Sequence, residues 1–198
     1  MSEEQVSTRI VTIPNLISFV RLAAVPVFWW VLLAEDRVAV ATILLIVVSW
    51  TDWIDGYLAR RLDQVTKLGK TLDPVADRLM IASAVIAGLL AEIIPAVIAI
   101  PLIVREAYMA LVTLTLVSRG AGNLEVRTLG KRATFLVYGA VQSFYLVAIP
   151  FLAVVFRPIA WITGVSGLIL YWIVAVQYTG DARRAMSELE SAASLEES

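Results

Sequence analysis

Between Asp52 and Asp77 the chain reads DWIDGYLARRLDQVTKLGKTLDPVAD. Four aspartates in this stretch form two close pairs, Asp52 with Asp55 and Asp73 with Asp77, and long apolar runs flank it on both sides. A carboxylate beside hydrocarbon is expensive, roughly 2.5–3.5 kcal/mol at the centre of a membrane helix. On a helix, Asp52, Asp55, Gly56 and Ala59 are related by steps of three and four residues and share a face, as do Asp73 and Asp77, with Gly69 one turn earlier. Four carboxylates gathered from two such faces repel one another unless cations sit among them. Oxygen donors in that number suit one or two hard divalent ions. Gly56 and Ala59 leave room for a ligand to approach the backbone, and Arg60 can present a guanidinium fork to phosphate oxygens. Metal plus arginine at a membrane surface is equipment for phosphoryl-type transfer, in which the ions clamp the attacking and leaving oxygens.

The composition narrows this chemistry. The 198 residues contain no Cys and no His, which removes thiolate nucleophiles, disulfides and the usual general base. Any metal must take oxygen ligands, favouring Mg²⁺, Mn²⁺ or Ca²⁺, and the base must be a carboxylate, with Asp77 the last of the series. Asp63 and Asp181, each standing alone, read as caps or solvated anions. Asp73-Pro74 also reads as an N-cap with proline in the first turn. Arg61, Lys67 and Lys70 read as membrane anchors as readily as ligand contacts. The net charge of −1 points to no class of partner, and no nucleic-acid partner is expected.

The elements that must position these residues are membrane helices. The chain is 60% hydrophobic with a mean hydropathy of +0.82, well above the apolar share of about 45–50% in soluble domains. Its apolar runs are continuous rather than alternating, and only helices or closed barrels satisfy their backbone in lipid. The expected fold is therefore all-α and polytopic. A short interfacial segment (1–14) precedes a six-helix membrane domain (15–180) and a tail (181–198). The spans are expected at about Asn15–Leu33, Val38–Ala59, Leu72–Leu90, Ile94–Val117, Thr134–Val155 and Ile159–Tyr178. Polar loops are expected at Arg60–Lys70 and 118–132, and a turn at Arg157-Pro158. The N-terminus lacks the basic region and cleavage site of a signal peptide, so the first apolar run is expected to remain as a span. Twelve Lys and Arg fall on the side that holds both termini and the aspartates, against Arg37 and Arg157 on the other. That asymmetry predicts cytoplasmic termini and an active site at the cytoplasmic face of the inner membrane. Arg21 and Arg105 lie within spans and need partners or must snorkel.

The spacing D-x2-D-G-x2-A-R-x8-G-x3-D-x3-D resembles, at every position, the signature of the CDP-alcohol phosphotransferases. The six-helix layout is similar too, so the resemblance covers nearly the whole chain. It implies that CDP-diacylglycerol binds with its cytidine diphosphate at the motif and its acyl chains in the bilayer. An acceptor hydroxyl would attack the phosphate attached to diacylglycerol, and CMP would leave. Asp52, Asp55, Asp73 and Asp77 would hold Mg²⁺ or Mn²⁺, two ions in all, with Asp77 also the general base. Asp52, Gly56, Ala59, Arg60 and Gly69 would hold the CDP part. Members of the family are typically homodimers. The stretches TIPNLISFVRLAAVPVFWW and LGKTLDPVADRLM resemble the branch that makes phosphatidylglycerophosphate or cardiolipin. Phosphatidylglycerophosphate synthases carry a second arginine two turns after the position of Arg105, where this chain has Thr113, and a Lys-x-Lys pattern near residues 130–134. The Gly130-Lys131-Arg132-Ala133-Thr134 form is more similar to cardiolipin-synthase-type members. Arg105, Lys131 and Arg132 are the expected acceptor site, with the acceptor leaning to phosphatidylglycerol over sn-glycerol 3-phosphate. A divalent-cation transporter is the alternative from another class. Such a protein usually carries its acidic residues near the bilayer midplane and shows internal repeats, and neither feature is visible here.

Overall fold

The structure, a computed structural model, describes residues 12–61, 67–119 and 128–196, with the side chains of 13–15, 52–61, 67–74, 188–190 and 192–196 excepted. Among the described residues there are six α-helices and no strand. They are α1 (Ile13–Trp29), α2 (Val38–Arg61), α3 (Lys67–Leu90), α4 (Ala96–Ser118), α5 (Thr128–Val147) and α6 (Ala153–Glu196). Among the described residues, three segments are long and apolar enough to cross a membrane: Leu16–Ala34, Ala96–Ser118 and Ala153–Ser187. A shorter apolar run, Val38–Thr51, forms most of α2. Charged residues open α3 and α5, which dilutes their hydropathy.

Local chemistry sets the helix ends. Past α1 the chain widens into a π-helical turn, Trp30–Ala34, where Glu35 N donates to Trp30 O at 3.1 Å. Asp36 then takes a positive φ of 52°, the left-handed conformation in which helices commonly terminate. Glu92, with φ 56°, does the same after α3, while Ile93 N donates back to Gly88 O at 2.8 Å. Between α5 and α6 the turn falls at residues 148–152, around Pro150.

The helix bounds correct the expected ones in three places. The loop expected at Arg60–Lys70 is helical at both ends, because α2 runs to Arg61 and α3 begins at Lys67, so Gly69 and Lys70 are helical, while 62–66 lie outside the described residues. The polar loop expected through 132 is helical from Thr128, placing Lys131 and Arg132 within the first two turns of α5. The expected Arg157-Pro158 turn is absent, since Pro158 sits inside α6. A proline near a helix start removes one N–H, a loss that membrane helices tolerate. The 44 residues of α6 extend about 66 Å at 1.5 Å per residue, twice the hydrocarbon thickness of about 30 Å. The helix therefore continues through residue 181, and Ala182 packs beside Leu116 of α4.

The core is built around Tyr145 of α5, wholly buried. Its ring meets Phe28 of α1 edge-on at 5.7 Å, and its hydroxyl donates to Ala84 O of α3 at 2.8 Å. The donor of a buried tyrosine is thus satisfied, and one side chain ties three helices. The outer surface carries exposed apolar residues such as Val20, Ile43, Leu114 and Ile162, an arrangement suited to lipid contact. Trp161 packs edge-on against Phe144 and Trp172 stacks on Tyr108.

α6 packs directly against the α5 backbone at Gly167. A Cβ added there would lie 3.2 Å from Val137 N and 3.2 Å from Leu136 Cβ. Backbone cannot move aside as a side chain can, so Gly167→Ala is expected to cost about 1–3 kcal/mol and to lower the Tm in detergent. Gly139, with nothing within 4 Å of its added Cβ, is the control. Gly139→Ala is expected to hold or raise the Tm, since alanine favours the helix by about 1 kcal/mol.

Candidate active site

Asp52, Asp55, Gly56, Ala59 and Arg60 fall on the last three turns of α2, and Gly69, Asp73 and Asp77 on the first three turns of α3. The two helix ends are separated by residues 62–66 only. The side chains of all these residues except Asp77 lie outside the described residues, as does the convergence expected of the four carboxylates.

Asp77 shows how the site is held. Its Oδ1 accepts a hydrogen bond from Arg21 Nη1 at 2.5 Å, and its backbone carbonyl accepts one from Tyr138 Oη of α5 at 3.3 Å. The Arg21 side chain is 2% exposed and that of Asp77 28%. Arg21 thus finds a partner rather than snorkelling, and the partner is the carboxylate expected to act as base. About two turns farther along α1 the tie is repeated, as Trp29 Nε1 donates to Ser83 Oγ of α3. α1 also packs against α2, so it braces both helices that carry the motif.

A second polar cluster forms where α3, α4 and α6 meet. Glu106 Oε1 accepts from Arg105 Nη1 at 2.7 Å and from Tyr171 Oη at 2.5 Å, while its Oε2 accepts from Arg78 Nη1 at 3.3 Å. The Arg105 guanidinium lies 3.5 Å over the centre of the Tyr171 ring, a cation–π contact strengthened by burial. Arg105 is buried, and its Nε has no hydrogen-bond partner among the described residues. Lys131 and Arg132 are exposed and line a shallow depression of about 440 Å³ with Thr128, Phe135 and Leu136. The three residues expected to bind the acceptor therefore occupy two settings, one dry and prepaired, the other open.

Sequence reasoning left Arg21 and Glu106 without roles and did not single out Tyr138, Tyr171 or Arg78. A buried arginine signals that some acid must face it, but several aspartates qualify by spacing.

Residues 11–176 match the family described as CDP-alcohol phosphatidyltransferase. The chain belongs to that family. It is 36% identical to the cardiolipin synthase (CMP-forming) of Streptomyces coelicolor over 194 residues, covering 93% of this chain and 89% of that one. It is 37% identical to the CDP-diacylglycerol–glycerol-3-phosphate 3-phosphatidyltransferase of Bacillus subtilis over 154 residues, 70% and 79% of the two chains. A putative cardiolipin synthase of Mycobacterium tuberculosis is 38% identical over 127 residues, 64% of this chain and 61% of that one. The protein is thus an enzyme, a phosphatidyltransferase of anionic phospholipid synthesis, and the transporter alternative falls away. Enzymes of the family use divalent metal ions. The donor set suits such ions: the motif offers carboxylates alone, and the described one is oriented by a guanidinium and remains partly exposed.

The Arg21–Asp77 pair separates structural from chemical loss. Removing one partner of a buried pair leaves an uncompensated charge, worth about 3–5 kcal/mol. Arg21→Met and Asp77→Asn are each expected to lower the Tm, and the double variant to lower it by less than the sum of the two. Additive losses in that double-mutant cycle would mean the two side chains do not interact.

Proposed function

We propose that this protein transfers the phosphatidyl group from CDP-diacylglycerol to phosphatidylglycerol, forming cardiolipin and releasing CMP at the cytoplasmic face of the membrane. What supports the acceptor is the match over 93% of the chain with a relative named as a CMP-forming cardiolipin synthase, together with Thr113 where phosphatidylglycerophosphate synthases carry arginine. The reading with sn-glycerol 3-phosphate as acceptor draws support from the Bacillus subtilis relative.

In this reading residues 15–180 form the six-span catalytic domain, preceded by an interfacial segment (1–14) and followed by a cytoplasmic tail (181–198). The excess of Lys and Arg on the side of both termini supports that orientation. The enzyme works as a homodimer. Asp52, Asp55, Asp73 and Asp77 hold two Mg²⁺ or Mn²⁺ ions, which when bound neutralise charge on the diphosphate. Arg60 orients the diphosphate, Gly56, Ala59 and Gly69 admit the cytidine part, and Asp52 borders it. The acceptor hydroxyl oxygen attacks the phosphorus that carries diacylglycerol. A new P–O bond forms as the bond to CMP breaks. Asp77 takes the hydroxyl proton, and CMP departs with the bonding electron pair. Arg21 holds one oxygen of Asp77 and so fixes the rotamer of the base. Arg105, Lys131 and Arg132 contact the acceptor phosphate.

Purified protein given CDP-diacylglycerol with each acceptor in turn tests this reading. Cardiolipin and CMP are expected from phosphatidylglycerol; phosphatidylglycerophosphate from glycerol 3-phosphate, with no cardiolipin, would overturn the acceptor. Asp77→Asn is expected to lower kcat about 10²–10⁴-fold, the usual contribution of a general base. Chelation with EDTA is expected to stop CMP release, and added Mg²⁺ or Mn²⁺ to restore it.

A further inference from the structure

α3 and α4 leave their shared turn as neighbours, and a crevice of about 210 Å³ opens between them. Ile81, Val85 and Ile86 line it from α3, Leu102 and Ile103 from α4, and Val137 of α5 closes the back. Ala82 and Ala107 also line it, half-buried and exposed respectively. Their small side chains keep it open toward the surrounding hydrocarbon.

One end of this apolar slot is polar. Glu106 and Tyr171 line it there, and Arg78 of α3 reaches across to Glu106. Arg78 is one turn before Ile81 and Ala82 on the same helix, directly follows Asp77, and has a side chain 65% exposed. Two guanidiniums, of Arg78 and Arg105, share the single carboxylate of Glu106, leaving one positive charge uncompensated within the cluster. Along α3 the order is thus a carboxylate, a cation and an apolar slot. That order is complementary to an amphiphile with a hydroxyl, an anionic phosphodiester and an acyl chain. Cationic pockets between membrane helices hold anionic headgroups in this way.

We propose that the α3–α4 crevice holds an acyl chain of the acceptor lipid, and that Arg78 pairs with the acceptor's phosphodiester so that the headgroup hydroxyl is presented toward Asp77. The proposal rests on phosphatidylglycerol being the acceptor, since glycerol 3-phosphate has no chain to place there. Bilayer hydrocarbon is as apolar as the slot, so transfer between them contributes little. The gain comes from van der Waals fit and from holding the headgroup in register. Filling the slot therefore weakens acceptor binding and leaves the donor alone.

The test compares wild type with Ala82→Leu, Ala107→Leu and Arg78→Gln in mixed micelles, titrating phosphatidylglycerol and CDP-diacylglycerol separately. Each variant is expected to raise the KM for phosphatidylglycerol about five- to tenfold, with the KM for CDP-diacylglycerol unchanged. Arg78→Lys is expected to recover most of the Arg78→Gln loss. General structural damage would move both KM values. Should a leucine variant fail to fold, Ala107→Val probes the same space. An unchanged phosphatidylglycerol KM in the slot-filling variants, or a rise confined to CDP-diacylglycerol, overturns the proposal. If the wild type makes no cardiolipin from phosphatidylglycerol, the acceptor assignment fails as well. Normal cardiolipin synthesis with unshifted KM values sinks the slot alone.

Discussion

A guanidinium wholly withdrawn from solvent needs an anion, and Arg21 finds it in Asp77, 56 residues away on another helix. Much of the arrangement around the site follows from that need. The pair pulls α1 against α3, and the Trp29–Ser83 bond repeats the tie farther along. With α1 also against α2, the helix ends that carry the motif are braced from one side. Desolvating two charges is costly, and the attraction between them offsets that cost only when geometry is good. An arginine in an apolar helix is thus poorly explained by stability alone. Its placement on a motif carboxylate ties α1 to the motif-bearing end of α3.

The Glu106 cluster follows the same physics with the signs exchanged. Here a carboxylate is the centre, and two arginines and a tyrosine donate to it. Arg105 is packed against the Tyr171 ring and nearly sealed from solvent, so it is rigid before any substrate arrives. Lys131 and Arg132, near the start of α5, are exposed to solvent by contrast. The two settings suit different tasks, fixed orientation in one case and electrostatic attraction in the other.

The helices themselves were largely legible. Continuous apolar runs long enough for a bilayer give α1, α4 and α6, and the aspartate stretch falls at the joined ends of α2 and α3, where spacing put it. Two of the misread boundaries share a cause. Arg60–Lys70 and 118–132 are polar, and polarity suggests loops, yet a helix emerging from hydrocarbon keeps its hydrogen bonds when its side chains become charged. Pro158 misled in the opposite direction, since near a helix start proline removes one N–H without ending the helix.

The sequence by itself determined the family and its class of chemistry: four aspartates, two glycines and an arginine at set intervals carry the resemblance to the CDP-alcohol phosphatidyltransferases, and the chain has no His or Cys. Those features depend on residue identity and on short-range helical spacing, which the chain carries locally. Only the tertiary structure decided which acid answers Arg21, that Glu106 and Tyr171 claim Arg105 in advance, and that Arg78 reaches the Glu106 that lines an apolar crevice. These pairings join residues on different helices, and several acids met each requirement by charge alone. The choice among them was made by which helix faces pack together, a property of the whole bundle rather than of any one segment.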